Sequence, residues 1–200
     1  MLNKENQLEW ENIYSCKEDS HKNEYPSEVV ITWIKRNFGR LTPSEKAQTK
    51  CLDLGTGWGN NLRFLAKEGF DALGIDFSPS AIDHVKSLGL KGQVADFRKL
   101  ELPDEHFDVI IDRGSIQQNP KEDIVVILEE VKRVLKPTGK FFSMMKSTGT
   151  NQFDYTTVLT EQEVRDCFSI FNNFDLDFYS LTAKNNTVKH GAYLLSASKA

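Results

Sequence analysis

Apolar and polar residues alternate along this chain in blocks that predict strands and helices in turn. Short, mostly apolar runs at 51–54, 71–76 and 107–111 are typical of strands that are buried on both faces of a sheet. Apolar residues recur at helical spacing in stretches between and after these runs, at 60–66, 80–88 and 124–135. This alternation predicts an α/β fold with a mostly parallel sheet.

Four further strand signals complete the predicted sheet. They lie at 93–97, 140–145, 174–181 and 192–197, and the polar residues 184–187 join the last two as in a hairpin. A hairpin makes one strand antiparallel, so we predict a seven-stranded, mostly parallel sheet with an antiparallel last strand. Helices on both faces of this sheet would give a three-layer architecture.

Helices are also predicted outside this alternating core. The stretch 8–14 mixes aromatic and acidic residues as a short amphipathic helix, and a second helix over 27–39 is expected to cover the open side of the sheet. Residues 40–50 have few apolar positions and are interpreted as a connector. A capping pattern at the start of 160–171 predicts one more helix there.

Length and composition indicate one globular domain. At 200 residues the chain is long enough for one core and too short for two ordinary domains. Lysine and arginine number 25 against 29 acidic residues, and the resulting charge of −4 disfavours a nucleic-acid partner. Three cysteines without C-x-x-C spacing indicate reduced thiols, and no apolar run approaches the length of a membrane span. We therefore expect a cytoplasmic protein without a membrane partner.

The first predicted strand ends in a turn that contains Gly55, Gly57 and Gly59. Glycine permits positive φ and lets a ligand approach the backbone, and the helix that begins near Asn60 would direct its first amides at such a ligand. The next strand ends at Asp76, about 20 positions beyond the glycines, where an acid meets ribose hydroxyls in nucleotide sites. The pattern indicates a nucleotide-like ligand. It departs from the dinucleotide pattern G-x-G-x-x-G because Asn60 stands at the third glycine position.

The segment Leu52-Asp53-Leu54-Gly55-Thr56-Gly57-Trp58-Gly59 resembles the glycine motif of the class I S-adenosylmethionine-dependent methyltransferases. Three further stretches match that family in order, at 74–78, 95–97 and 107–112, and the stretch 130–141 resembles the helix that introduces its fifth strand. The resemblance covers about residues 50–147. It implies the Rossmann-like methyltransferase fold and S-adenosyl-L-methionine as the cofactor.

The resemblance also implies roles for particular residues. Asp76 would hold the ribose hydroxyls of the cofactor, Asp96 would meet the adenine amino group, and the backbone amide of Phe97 would meet a ring nitrogen. The full set of expected cofactor contacts is Tyr14, Asp53, Gly55, Thr56, Gly57, Asn60, Asp76, Phe77, Asp96, Phe97 and Asp112. Within one domain (1–200), residues 1–40 would form a helical cap, 50–147 the cofactor-binding core, and 148–200 the substrate-side elements.

Methyl transfer from a sulfonium needs little chemistry from the protein, because the cofactor supplies the electrophile and the protein holds donor and acceptor in line. A base is needed only when the acceptor loses a proton as it attacks. Asp112 is the candidate for orienting a hydroxyl or amine, and His190 is the candidate base. Arg113 is a candidate for binding a carboxylate or phosphate, with pairing to Asp112 as the structural alternative.

Two absences narrow the acceptor. The run Gln118-Asn119-Pro120-Lys121 differs from the Asn- or Asp-Pro-Pro-aromatic run of methyltransferases that modify amino groups of nucleic acids, and no Pro-Cys pair is present for methylation of a base carbon. The favoured hypothesis is O- or N-methylation of a small molecule in a pocket between Tyr14, Gln117, Tyr155 and His190. A non-catalytic nucleotide-binding module and a nicotinamide-dependent oxidoreductase stay open as alternatives.

Overall fold

One seven-stranded sheet organises the fold in a computed structural model, which describes residues 4–15, 24–147, 156–182 and 188–199. The strands are β1 (Lys50–Leu54), β2 (Asp71–Asp76), β3 (Lys91–Val94), β4 (Phe107–Arg113), β5 (Leu135–Lys146), β6 (Asn173–Thr182) and β7 (Val188–Ser198). Their spatial order is β3-β2-β1-β4-β5-β7-β6. Strands β1 to β5 pair in parallel, and β7 runs antiparallel to both β5 and β6, which confirms the predicted sheet.

Helices cover both faces of the sheet. They are α1 (Lys4–Ser15), α2 (Glu28–Phe38), α3 (Pro43–Gln48), α4 (Asn60–Lys67), α5 (Pro79–Ser87), α6 (Lys121–Val134) and α7 (Glu161–Phe168), with a short 3-10 helix at Ile116–Gln118. Among the described residues, no helix is long and apolar enough to span a membrane.

Alternate residues of the central strands enter two separate hydrophobic layers. On β1, Leu52 and Leu54 pack with residues of α6 and α7, whereas Cys51 packs with residues of α2 and α4. On β4, Ile110 belongs to the first layer, and its neighbour Val109 belongs to the second. Side chains of a strand alternate between faces, so a strand in the middle layer must be apolar at nearly every position.

Helix α2 covers one face of the sheet, as its spacing predicts. Trp33 packs against Phe142 of β5 with ring centroids 5.4 Å apart, and its indole N–H donates to Ser196 Oγ of β7 at 3.0 Å. Because a buried indole N–H needs an acceptor, this bond orients α2 on the two strands that lie on the far side of β4.

Several predicted boundaries were wrong. The connector at 40–50 contains α3, which begins with a reciprocal capping box between Thr42 and Glu45. Strand β5 begins at Leu135 instead of Lys140, and one apolar residue of the helical pattern at 124–135, Val125, is 38% exposed and does not face the sheet. The third strand, predicted to reach 97, ends at Val94 and so does not include Asp96. The helix predicted to reach 171 ends at Phe168. The predicted hairpin turn at 184–187 lies outside the described residues.

Candidate functional site

A cavity of about 500 Å³ lies at the carboxyl ends of β1, β2 and β4. In open α/β sheets, ligands bind at this edge. Eight of the predicted cofactor contacts line the cavity: Tyr14, Gly55, Thr56, Gly57, Asn60, Asp76, Phe77 and Phe97. The structure therefore brings together residues that span more than 80 positions of the sequence.

The turn after β1 presents bare backbone to this cavity. Gly55 and Gly57 have φ of +67° and +50°, a region that favours glycine. A Cβ on Gly55 would lie 2.2 Å from Ser115 Cβ, and a Cβ on Gly57 would lie 2.6 Å from Tyr14 Oη. The amides of Gly55 and Thr56 both donate to the carbonyl of Ile75, at 2.9 and 3.0 Å, and these bonds fix the turn against the end of β2. A side chain at either glycine would therefore collide with Ser115 or Tyr14 in the wall of the cavity.

Asp76 lies at the end of β2 and is only 4% exposed. Its carboxylate accepts hydrogen bonds from the amides of Gly57 and Ser78, each at 3.0 Å. Burial raises the pKa of Asp76, and these backbone bonds act against the rise. Each carboxylate oxygen keeps a second lone pair, so the group is able to accept from two further donors, as a vicinal diol would offer.

The N-terminal helix α1 forms the opposite wall of the cavity through an aromatic cluster. Trp10 and Tyr14 stack with ring centroids 5.9 Å apart, and Tyr14 meets Trp58 edge-on at 5.2 Å. All three side chains line the cavity. Tyr14, the expected cofactor contact of this helix, thus lines the cavity and also packs α1 against the glycine turn through Trp58.

Glu11 joins α1 to the beginning of α5. Its carboxylate accepts from the hydroxyls of Ser78 and Ser80, each at 2.5 Å. Burial alone would raise the pKa of Glu11, but the hydrogen bonds from Ser78 and Ser80 outweigh it and lower the pKa. An anionic carboxylate is favourable at the N-terminus of a helix, so this contact holds α1 over the cavity.

Asp53 and Asp112 lie beneath the cavity wall. Asp53 is 1% exposed and accepts from Thr56 Oγ at 2.8 Å, and burial raises its pKa to about 7. Asp112 is fully buried, and its oxygens accept from the amide of Ser115 at 2.8 Å and from Ser143 Oγ at 2.7 Å. Burial also raises the pKa of Asp112. This placement argues against the expected contacts of both acids with cofactor or acceptor, and it gives them a role in supporting the turn and the end of β4.

Asp96 is turned toward another partner. The guanidinium of Arg98 donates to both of its carboxylate oxygens, with the shortest contact at 2.6 Å. Burial acts to raise the pKa of Asp96, but hydrogen bonding and the positive charge of Arg98 lower it overall. The next residue, Phe97, does line the cavity. The adenine contact expected for Asp96 is therefore in competition with an internal ion pair.

A second cavity of about 430 Å³ adjoins the first and shares four lining residues with it: Arg113, Gly114, Gln117 and Lys146. Gln117 is 3% exposed, and its side-chain oxygen accepts from the amide of Lys146 at 2.5 Å. This bond joins the 3-10 helix after β4 to the end of β5. The shared wall places any molecule in the second cavity beside one in the first.

Some predicted site residues lie outside the described part of the structure. This is so for Tyr155 and for the side chain of His190, whose backbone pairs with Leu181. Conversely, the first cavity is also lined by Gln7, Ile13 and Asn119, which the sequence analysis did not select. Ser115 and Gln118 line it as well, and they belong to the stretch 112–118 after β4, which the sequence marks as the candidate for acceptor contact. Among the described residues, no group of three His, Cys, Asp or Glu side chains is placed to hold a metal ion.

The fold and the cavity define a Rossmann-like α/β domain with a nucleotide-sized site at the carboxyl edge of its sheet. The family described as "Methyltransferase domain" matches residues 51–139. An uncharacterized methyltransferase of Schizosaccharomyces pombe is 36% identical over 138 residues, which are 66% of this chain and 50% of the relative. The sarcosine/dimethylglycine N-methyltransferase of Aphanothece halophytica is 30% identical over 138 residues, covering 62% of this chain and 49% of the relative.

The solved structures agree with the sequence relatives on the fold. A SAM-dependent methyltransferase from Archaeoglobus fulgidus superposes with a TM-score of 0.70 at 12% identity, covering 96% of this chain and 99% of that one. Residues 51–139 thus match the methyltransferase family, and this match implies S-adenosyl-L-methionine as the cofactor. It spans about half the length of the curated relatives it matches.

Proposed function

We propose that this protein transfers the methyl group of S-adenosylmethionine to an oxygen or nitrogen atom of a small-molecule acceptor. The observation that carries the proposal is the first cavity, where a glycine turn with positive φ at Gly55 and Gly57 faces the buried carboxylate of Asp76. The methyltransferase family that residues 51–139 match supports the same activity.

The residues around the cavity fit the cofactor in chemistry. Asp76 would accept from the two ribose hydroxyls, because its oxygens have lone pairs beyond those used by Gly57 and Ser78. Phe77 and Phe97 offer apolar surface to the adenine ring, and the aromatic cluster of α1 would exclude water from above. When bound, the cofactor supplies a methyl group on a positively charged sulfur, which is the electrophile.

The second cavity is proposed as the acceptor site. Gln117 and Gly114 form part of the wall that it shares with the first cavity, so an acceptor there would lie beside the methyl donor. Positioning of this kind supplies much of the rate of a transfer reaction. The Aphanothece relative, which by its name methylates sarcosine and dimethylglycine, supports a small amine as one candidate acceptor.

These contacts also support the proposed division of the domain. Helix α1 falls in the proposed cap (1–40), the matched family region falls in the core (50–147), and β7, which lines the second cavity through Gly191 and Ala192, falls in the substrate-side part (148–200).

The test has two steps. Calorimetry with S-adenosylhomocysteine should show binding to a single site, and radiolabelled S-adenosylmethionine should then transfer its methyl group to members of a panel of small hydroxyl and amine compounds. Absence of binding would contradict the proposal. Binding without transfer to any member of the panel would favour the non-catalytic module instead, and binding of a reduced nicotinamide dinucleotide in place of the homocysteine compound would favour the oxidoreductase.

A further inference from the structure

Two cationic side chains, Arg113 and Lys146, line the second cavity. Arg113 is the last residue of β4 and pairs in register with Met144 of β5, and Lys146 lies two positions beyond Met144. Residues two apart on a strand lie on the same face, so Met144 and Lys146 share the face that looks into the cavity. The cavity therefore has a positively charged end beside an apolar thioether.

The internal partner that the sequence offers to Arg113 is engaged elsewhere. Asp112 is fully buried and accepts from Ser115 and Ser143, and consecutive residues of a strand point to opposite faces. Arg113 itself is exposed, and none of the carboxylates whose side chains the structure describes forms an ion pair with it. Its five donors are thus available to a planar anion.

A second cation lies near Arg113 in the cavity wall. Burial and then the positive charge of Arg113 lower the pKa of Lys146, so the two cations are close enough to repel each other. Among the described residues, Glu28, in the first turn of α2, is the one carboxylate that lines the same cavity. A ligand with one negative charge at the Arg113 end would reduce the repulsion between the cations.

We propose that the methyl acceptor carries an anionic group, a carboxylate or a phosphate, that binds to Arg113 and Lys146 in the second cavity. This inference rests on the proposed function, since it names the chemical class of the acceptor. The anionic group anchors the acceptor at the shared wall, and the nucleophilic atom then lies toward Gln117 and the cofactor. A bidentate arginine contact would fix the acceptor's orientation as well as its affinity.

The test uses small probes on the full chain saturated with S-adenosylhomocysteine. Acetate and inorganic phosphate are titrated at constant ionic strength, with acetamide as the uncharged counterpart of acetate. The side-chain N–H signal of Arg113 and the amide signal of Gly114 are followed by ¹⁵N NMR. We expect saturable shifts with acetate, phosphate or both, and none with acetamide; the comparison of the two anions decides between carboxylate and phosphate.

Variants of Arg113 show whether the NMR shifts arise from an anion bound to this residue. With the Gly114 amide as reporter, Arg113→Gln should weaken anion binding about tenfold or more, because a charge-assisted hydrogen bond is lost. Arg113→Lys should give a smaller loss, since the charge stays and the fork is removed. Arg36→Gln, at an exposed position of α2, is the matched control and should bind as the wild type does.

Three results would overturn the inference: equal shifts with acetamide and acetate, no saturable shift with either anion, or unchanged anion binding in Arg113→Gln. Saturation with S-adenosylhomocysteine is measured first by calorimetry. Failure at that step would count against the proposed function, whereas success there followed by failure with the anions would count only against the anionic acceptor.

Discussion

The two cavities at the carboxyl edge of the sheet share a wall but are built from different kinds of groups. The first is formed by the backbone of a glycine turn and by the buried carboxylate of Asp76, which two backbone amides hold in place. The second is formed largely by side chains at strand ends, among them the exposed Arg113. A substitution in the first cavity therefore alters the neighbouring strands. In the second cavity, one side chain can be replaced without changing the backbone around it.

Under the proposed function, this difference would separate the binding of the cofactor in the first cavity from the choice of acceptor in the second. The glycine turn is tied to β2 through Ile75, so its shape depends on the central sheet. A substitution at Arg113 or Lys146 would leave that sheet untouched, because both lie at strand ends. Loops and strand ends on a rigid scaffold commonly carry specificity for this reason.

Gly55→Ala should have the strongest effect of all, because it puts a side chain into the wall of the first cavity. The new Cβ would lie 2.2 Å from Ser115 Cβ in a backbone with positive φ, so we expect a loss of about 2–4 kcal/mol in the free energy of unfolding. Binding of S-adenosylhomocysteine should fall below detection. Chemical denaturation and calorimetry measure the two effects.

The matched control for this substitution is Gly89→Ala. Gly89 also has positive φ, at +74°, but an added Cβ there meets no atom within 4 Å. We expect only the backbone cost of about 1 kcal/mol and normal cofactor binding. Equal losses of stability and binding in the two variants would mean that the contact with Ser115 is unimportant.

The buried acid under the turn gives a pH-dependent test. The pKa of Asp53 is raised to about 7, so the folded protein holds an extra proton between about pH 4 and pH 7 relative to the unfolded chain. Its contribution therefore makes the wild type less stable as the pH rises through that interval. Asp53→Asn removes this titration, and its stability relative to wild type should improve by about 4 kcal/mol from pH 4 to pH 8.

Urea denaturation at both pH values measures this difference. Asp76 and Asp112 also have raised pKa values, so the pH dependence of the variant should be weaker than that of wild type without vanishing. The exposed Asp175→Asn is the control and should follow the wild type. A constant difference between Asp53→Asn and wild type across the interval would show that Asp53 does not bind the extra proton.

The smallest expected effect concerns the contact that holds α1 over the first cavity. Glu11→Ala removes the acceptor for the hydroxyls of Ser78 and Ser80. Since this contact is only part-buried and does not touch the ligand directly, we expect S-adenosylhomocysteine to bind only about three- to tenfold more weakly. Hydrogen exchange of the α1 amides should become faster. Glu9→Ala, at an exposed position of the same helix, should change neither the affinity nor the exchange rate. Equal behaviour of the two variants would mean that the contacts of Glu11 with Ser78 and Ser80 do not hold α1 in place.

What could be predicted from the sequence follows the same division between the two cavities. The glycine turn and Asp76 could be predicted because both leave local signals in the sequence: closely spaced glycines, and an acid at the end of an apolar run. The sheet was readable because strands buried on both faces must be apolar throughout. By contrast, α3 was missed because its capping residues, Thr42 and Glu45, stand in a stretch without an apolar face.

The directions in which the acidic side chains point could not be predicted from the sequence. Asp53, Asp96 and Asp112 each stand at a plausible strand end, but their direction depends on partners that tertiary packing supplies. Arg98 engages Asp96, and Ser143, 31 positions away, engages Asp112. The second cavity also depends on the pairing of β5 with β7, which a sequence pattern predicts only as a sheet and not as a register.

Calorimetry on Asp76→Asn shows whether Asp76 and the glycine turn bind the adenosine part of the cofactor. The Asn amide nitrogen would have to face a backbone N–H of Gly57 or Ser78, and it has no lone pair for a ribose hydroxyl. We expect S-adenosylhomocysteine to bind about ten- to a hundredfold more weakly to this variant and normally to the exposed Asp83→Asn. Wild-type affinity in a folded Asp76→Asn protein would contradict the account.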